Sequence, residues 1–378
     1  MNFPNFEYGV LNNKQLRFLI DNDFIINFDK TLVENENYKD IDGSSLDLHI
    51  TNEIRELKFT EKLEKRKSLN DIFGSFPLYD ITKGLFKEHI YLIKLKEKID
   101  FKKYCGKYGL YGRTSGRSSI GRLDILTRLI VDNYPKYDEI PPNYCGSLYL
   151  EVIPLSFYIK LPEGYALNQL RVFHGKPELS VIQNDELYKY APMLYIDDGN
   201  PVLHDYKSLR VDLTEDKTTN GDPISYRANK LNTLTVDLNS RTKLNPNEFW
   251  YQEKKIDKEK DYLLMEKEEF YILRSYERMH LPNDVAVTCI AYSENLGELR
   301  IHYAGFAHPN FGHHGLDKLD KKIGAPLIFE ARCHSFKVKI RHKEQFARIE
   351  YYKMSEFTEA TSKYSNQELK LSAIFADW

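Results

Sequence analysis

Several common functional signals are missing from this chain. Its 378 residues include only four cysteines, Cys105, Cys145, Cys289 and Cys333, far apart and without a Cys-x-x-Cys pair. Such spacing argues against structural zinc and is simplest as free thiols in a reducing compartment. No stretch approaches the roughly eighteen consecutive apolar residues of a membrane span. The opening "MNFPNFEYGV" has neither a basic flank nor an apolar run. No secretory signal is therefore expected, and a cytoplasmic location is. An excess of one charge is missing too, with a formal net charge of −2. Nothing draws the whole molecule to nucleic acid or to an anionic membrane, so any anion site must be local. No GxxxxGK[ST] loop occurs, which excludes a Walker-type phosphate site.

What is abundant is aromatic: 27 tyrosines and 21 phenylalanines. They lie among short alternating stretches such as "SLYLEVIPLSFYIKL" and "SFKVKIR", which predict strands divided by Gly, Pro and Asn turns. Helical signals are few. "NNKQLRFLIDND" is amphipathic and predicts a short packed helix, and "NDELYKYAPML" is a second candidate.

The chain also repeats itself. "EVIPLSFYIKLPEGYALNQLRV" from Glu151 aligns without a gap on "EARCHSFKVKIRHKEQFARIEY" from Glu330, an offset of 179 residues. "YLIKLKEKI" from Tyr91 aligns on "YILRSYERM" from Tyr271 at an offset of 180. Two matches at nearly one offset indicate duplication. The expected architecture is mainly β, two sandwich- or barrel-like units with peripheral helices, spanning residues 1–180 and 181–378. The joint falls between about His174 and Asn200, where "HGKPELS" and "DDGNP" have turn chemistry.

One run concentrates hydrogen-bond donors. "RTSGRSSIGRLDI", residues 113–125, holds three arginines and four hydroxyl side chains before its first carboxylate, Asp124. Arg117 is suited to fork onto phosphate oxygens, with Ser118 and Ser119 adding hydroxyls, and Arg113 and Thr114 could extend this cradle. A solvated Ser-rich turn is the alternative.

These residues resemble a known family. "GRSSIGRLDI" is similar to the Arg-Ser-Ser-x-x-Arg-Leu motif of deoxycytidine triphosphate deaminases, members of the trimeric dUTPase-like superfamily. "GSSLDLHI" from Gly43 is similar to that family's Ser-Leu-Asp-Leu segment. "CGSLYLEVIP" and "GAPLIFEARCH" resemble its glutamate-bearing strand, and "HYAGFAHPNFG" from His302 resembles its hairpin, with His308 where an acid is expected. The resemblance covers about residues 10–354 and fits a tandem, double-length form. It implies two dUTPase-like units of the β-clip type, distorted jelly-roll barrels. It also implies hydrolytic deamination of dCTP to dUTP and ammonia in pyrimidine deoxynucleotide supply, with Mg2+ on the triphosphate and no zinc. A homo-oligomer with threefold or pseudo-threefold packing follows as well. The paired His-x-Glu and Pro-Cys-x-x-Cys motifs of zinc-dependent nucleobase deaminases are absent.

The resemblance assigns roles residue by residue. Arg117, Ser118, Ser119 and Arg113 would bind the triphosphate, with His302 and Ala304 beside the sugar and base and Gln169 a further substrate-binding residue. Glu151 and Glu330 each lie on a strand among apolar neighbours, where burial raises a carboxylate's pKa and suits it to act as a base. Arg122 would hold that glutamate, and Ser118 would contribute to catalysis. The copies have diverged unequally. The first keeps the cradle but has the longer "VDNYPKYDEIPPNYCG" in place of the hairpin. The second keeps the hairpin and Glu330 but has "YSENLGELR" in place of the cradle. The preferred expectation is a composite site joining Arg117, Ser118, Ser119 and Arg122 to Ala304 and Glu330. A site built on Glu151 in a trimer of first copies is the competing one.

Other functions remain open on sequence. The tail "TSKYSNQELKLSAIFADW" has no glycine, unlike the Gly-rich arm of a dUTP pyrophosphatase. A bifunctional enzyme that carries dCTP through to dUMP, or a non-catalytic nucleotide-binding trimer, are the alternatives.

Overall fold

The computed structural model describes all residues except 1–5, 34–36, 61–67, 107, 188, 191, 197–198, 204, 255–261, 291–298, 302–304, 314–323 and 361–366. It is mainly β, with few and short helices. The first sheet is built from β1 (Ser45–Leu57), β2 (Ile90–Asp100), β3 (Leu110–Gly116), β4 (Ile125–Val131), β5 (Glu139–Ile140), β6 (Cys145–Pro154) and β7 (Ala166–His174). Its hydrogen-bonded order is β4-β6-β2-β1-β7-β3-β5, antiparallel throughout. The second sheet uses β8 (Ser208–Asp212), β9 (Ser225–Ala228), β10 (Trp250–Glu253), β11 (Phe270–Met279), β12 (Val285–Ile290), β13 (Leu299–Ile301), β14 (Phe306–Ala307), β15 (Ala325–Cys333) and β16 (Gln345–Lys353). Its path β13-β15-β11-β8-β16-β12-β14 matches the first strand for strand. The registers agree in detail, since Glu151 lies opposite Leu92 and Glu330 opposite Ile272.

Period-two alternation explains which residues enter each core. On β6, Leu148, Leu150 and Val152 turn into the first unit's core. On β15, Phe329, Ala331 and Cys333 turn into the second's. Glu151 and Glu330 therefore lie on the opposite faces of their sheets. In the second unit that face is not left to solvent. Ile272, Ile328, Tyr226 and Trp250 join the first unit's apolar core, where Trp250 and Phe157 have ring centroids 5.4 Å apart.

The helix predicted near the N-terminus spans Asn13–Asp21 and buries Leu16, Leu19 and Ile20. A capping box between Asn12 and Gln15 starts it, satisfying two backbone N–H groups that a helix end leaves unpaired. The second predicted helix is much shorter, Asn184–Leu187 among the described residues. Pro192 denies a longer helix an amide hydrogen, and Leu194–Tyr195 pairs instead with β11 as a strand.

A buried arginine clasps the units together. Arg171 on β7 has no exposed surface. It donates to the Val287 carbonyl at 3.0 Å and the Ala307 carbonyl at 3.0 Å, and it covers the Phe306 ring at 3.9 Å. Val287 and Ala307 are paired residues of β12 and β14. A side chain from the first unit thus fixes β12 and β14 together.

Candidate active site

The cradle begins where β3 ends. Arg117 N–H donates to the Leu167 carbonyl at 3.1 Å, and Ser118–Gly121 then forms a single helical turn. Buried Ile120 and Leu123 pin this turn to the core, while Arg117, Ser118 and Ser119 remain half-exposed. Arg117 Nε lies 3.2 Å from Asp47 Oδ2, on the "SLDL" segment, and its guanidinium also donates to the Ala166 carbonyl at 3.2 Å. Arg117 and Ser118 line a small cavity of about 80 Å3 with Gln169, Phe306 and His308. Gln169 accepts from Ser45 Oγ at 3.3 Å and donates to Ser115 Oγ at 3.3 Å, so it is the bridge between β1, β7 and β3 at this point. His308 Nδ1 is 3.0 Å from Ser44 Oγ, which joins the second unit's hairpin to the first unit's "GSSLDL" segment.

The upstream part of the donor-rich run goes elsewhere. Arg113 donates to Tyr352 Oη at 2.6 Å and packs against the rings of Phe173 and Tyr352. Thr114 Oγ1 donates to Asp138 at 3.1 Å. Alternation on β3 turns these side chains into the joint and the sheet, so the structure does not bring them to the cradle as the donor count suggested.

The downstream part meets the second unit. Arg122 Nε lies 3.9 Å from Glu330 Oε1, and both side chains are buried. Two residues further along each of these two segments, Asp124 pairs with Arg332 and also accepts from Ser156 Oγ at 2.5 Å. The cradle is therefore stitched to β15 at two successive positions, with the charges reversed between them. Asp124 has φ +55°, and this left-handed turn lets the chain leave the cradle and enter β4.

Burial raises the pKa of Glu330 well above the ordinary carboxylate value, and the Arg122 guanidinium opposes that rise. Among the described residues its Oε2 has no hydrogen-bond partner. A buried, underpaired carboxylate is a strong acceptor for a proton, which suits a general base.

Glu151 is as deeply buried, but the structure does not bring it to the cradle. Its face of the first sheet also carries Leu92 and Tyr149, which pack with Leu69, Ile72 and Phe73. Burial pushes its pKa up to about 7 against the influence of Arg128. Nearby Asp138, half-buried and bonded to the Leu129 amide at 2.8 Å, is pushed up to about 7 by desolvation as well. His302 and Ala304 lie outside the described residues.

A cavity of about 570 Å3 opens beside Ser118, Ser119 and Arg122. Its far wall is the C-terminal tail from Gln367 to Trp378, together with Tyr226 and Thr219. Leu369, Leu371 and Phe375 bury themselves, and Trp378 stacks on Tyr226 with centroids 5.1 Å apart. The glycine-free tail does not announce this wall in the sequence. The apolar spacing of "LKLSAIF" was the available signal.

Comparison with known proteins identifies the architecture. A family model described as the 2'-deoxycytidine 5'-triphosphate deaminase N-terminal domain matches residues 7–176, and its C-terminal domain counterpart matches residues 182–375. No curated protein matches the chain. Among solved structures, it is similar to a 2'-deoxycytidine 5'-triphosphate deaminase from Agrobacterium tumefaciens, with a TM-score of 0.78 and 25% identity. The match covers 93% of this chain and 100% of that one. With both family domains matched along nearly its whole length and set against each other through Arg122 and Glu330, the chain belongs to the 2'-deoxycytidine 5'-triphosphate deaminase family.

Proposed function

We propose that this chain hydrolyses dCTP to dUTP and ammonia at a composite site, with Glu330 as the general base. The observation that carries the reading is the Arg122–Glu330 contact, which joins the first unit's cradle to a buried second-unit carboxylate. In this proposal Glu330 takes a proton from water as its oxygen bonds to C4 of the cytosine. That proton is delivered to ring N3, where it stays. The proton left on the new C4 hydroxyl then passes to the amine as the C4–N bond breaks and C4=O forms, so that dCTP and water become dUTP and NH3. Arg122 tempers the pKa of Glu330 and stabilises its carboxylate.

The triphosphate carries about four negative charges, partly offset by Mg2+. Arg117, Ser118 and Ser119 would meet it, with Lys370 of the tail lining the larger cavity beside Ser118 and Ser119. Gln169 and the hairpin that ends at Phe306 and His308 would form the sugar and base end. Among the described residues no group of three His, Cys, Asp or Glu could hold a metal ion. In this proposal the Mg2+ arrives with the nucleotide and belongs to the substrate.

Because cradle and Glu330 come from one chain, association is not needed to complete that pair. Threefold packing would serve stability or regulation. The test is to incubate the protein with Mg2+ and each of dCTP, CTP, dCMP and dUTP, measuring ammonia, uracil nucleotide and pyrophosphate. Ammonia without pyrophosphate, from dCTP, is the expected result. Pyrophosphate together with ammonia would identify a bifunctional enzyme, and no product from bound dCTP would identify a nucleotide-binding protein.

A further inference from the structure

Arg122 is held on its other side by the C-terminal tail. One terminal nitrogen donates to Gln367 Oε1 at 2.9 Å, and the other to the Lys370 and Leu371 carbonyls at 3.2 and 3.3 Å. Gln367 is itself fixed, because its Nε2 donates at 3.0 Å to the carbonyl of Pro326, on the same strand as Glu330. The next residue is the anchor. Glu368 accepts from Arg278 at 2.8 Å and lies 3.5 Å from Arg274, two buried arginines of β11. Leu369 N–H donates to buried Asp216 at 3.1 Å. Five consecutive residues are thus tied down, and three of them converge on one guanidinium.

Among the described residues, the three tail oxygens that meet Arg122 are neutral. They orient the guanidinium without neutralising it, so its field reaches the Glu330 carboxylate. At 3.9 Å that pair is too long to be a hydrogen bond. Its spacing is therefore set by the surrounding contacts and not by the pair itself.

We propose that Gln367–Leu371 is a strap that positions Arg122 against Glu330, with Glu368 as its electrostatic anchor and Gln367 as its necessarily neutral contact. This rests on the reading of Glu330 as the base. Gln367 and Glu368 are positioning residues, acting through Arg122.

The test uses the full chain with Glu368→Gln, Glu368→Asp and Gln367→Glu. The protein has two tryptophans, of which Trp250 is buried and Trp378 belongs to the docked tail. Acrylamide quenching of Trp378 therefore reports tail docking independently of activity. The pH profile of kcat reports the ionisation of Glu330. Glu368→Gln removes a charged partner and is expected to weaken docking about ten- to a hundredfold. Trp378 becomes quenchable, and the acid limb of kcat moves to higher pH as Arg122 loses its hold. Glu368→Asp restores part of both. Gln367→Glu keeps Trp378 protected and still moves the acid limb upward, because the new carboxylate competes for the guanidinium. A merely structural tail contact would tolerate or favour that added ion pair. The proposal is overturned if Glu368→Gln leaves quenching or the pH profile unchanged, or if Gln367→Glu leaves the profile unchanged. Absence of ammonia release by the unmodified chain would defeat the functional reading instead, and the quenching series would still decide whether Glu368 docks the tail.

Discussion

Replacing each strand glutamate by glutamine separates the two candidate bases. Glu→Gln keeps shape and hydrogen-bonding capacity but removes the basic oxygen pair. At Glu330 the carboxylate is buried, underpaired at Oε2 and 3.9 Å from Arg122 beside the cradle cavity. General acid–base groups contribute about 10²–10⁴-fold, or roughly 3–5 kcal/mol of barrier. Glu330→Gln is therefore expected to lower kcat for ammonia release by that factor, while dCTP binding followed by calorimetry changes little. Among the described residues Glu151 meets no cradle residue, and Leu92 and Tyr149 on its sheet face pack with Leu69, Ile72 and Phe73. Glu151→Gln is expected to keep kcat within a few-fold of the unmodified chain. The assay is steady-state ammonia release at saturating dCTP and Mg2+, with folding of each variant checked by thermal melting. Loss of turnover in Glu151→Gln with near-normal turnover in Glu330→Gln would refute the composite site.

Stability should fall as pH rises, because Glu151 and Asp138 are both pushed up to about 7 by burial. Between the ordinary glutamate value of 4.5 and about 7 the folded state keeps a proton that the unfolded chain has lost. Glu151 alone then costs about 3 kcal/mol by pH 8, and Glu151→Gln should flatten the decline of Tm from pH 5 to pH 8. A decline as steep as in the unmodified chain would argue against burial as the cause. Arg171→Leu should destabilise the chain by about 3 kcal/mol, the order of one or two charged hydrogen bonds, and Arg171→Lys should not recover it. Full recovery by lysine in urea unfolding would mean that charge alone matters at that clasp. Arg117→Ala should weaken triphosphate binding about ten- to a hundredfold and leave nucleoside binding nearly unchanged, measured by titration calorimetry. Equal losses for both ligands would remove the phosphate role. Mixing Ser118→Ala with Glu330→Gln chains should restore no activity after verified subunit exchange, since each chain brings its own cradle to its own Glu330. Recovery would show that the site is shared between chains.

The outline of the fold was legible because it is written locally. Alternation at period two marks β6 and β15, turn residues separate them, and the offset of 179 residues aligns Glu151 with Glu330. In the structure that alternation turns each glutamate away from its own core, since its neighbours on the strand enter it. The cradle motif was legible for a similar reason: Arg117 to Arg122 must be contiguous to form one turn. Nothing local distinguishes Glu151 from Glu330, which occupy equivalent places in equivalent sheets. Only packing does so. The outward face of the second sheet, with Ile272 and Ile328, is buried against the first unit and meets Arg122 there, while the corresponding face of the first sheet is covered by Leu69–Phe73. Arg113 shows the limit from the other side, because donor density placed it in the cradle and its strand direction turned it towards Tyr352. The tail was hardest to foresee, as its contacts join residues more than two hundred positions apart, Arg122 with Lys370 and Leu371. Local chemistry determined which hydrogen-bond donors and carboxylates were available. The docking of one duplicated sheet on the other decided which of them share a site, because that choice depends on surfaces which no short stretch of sequence contains.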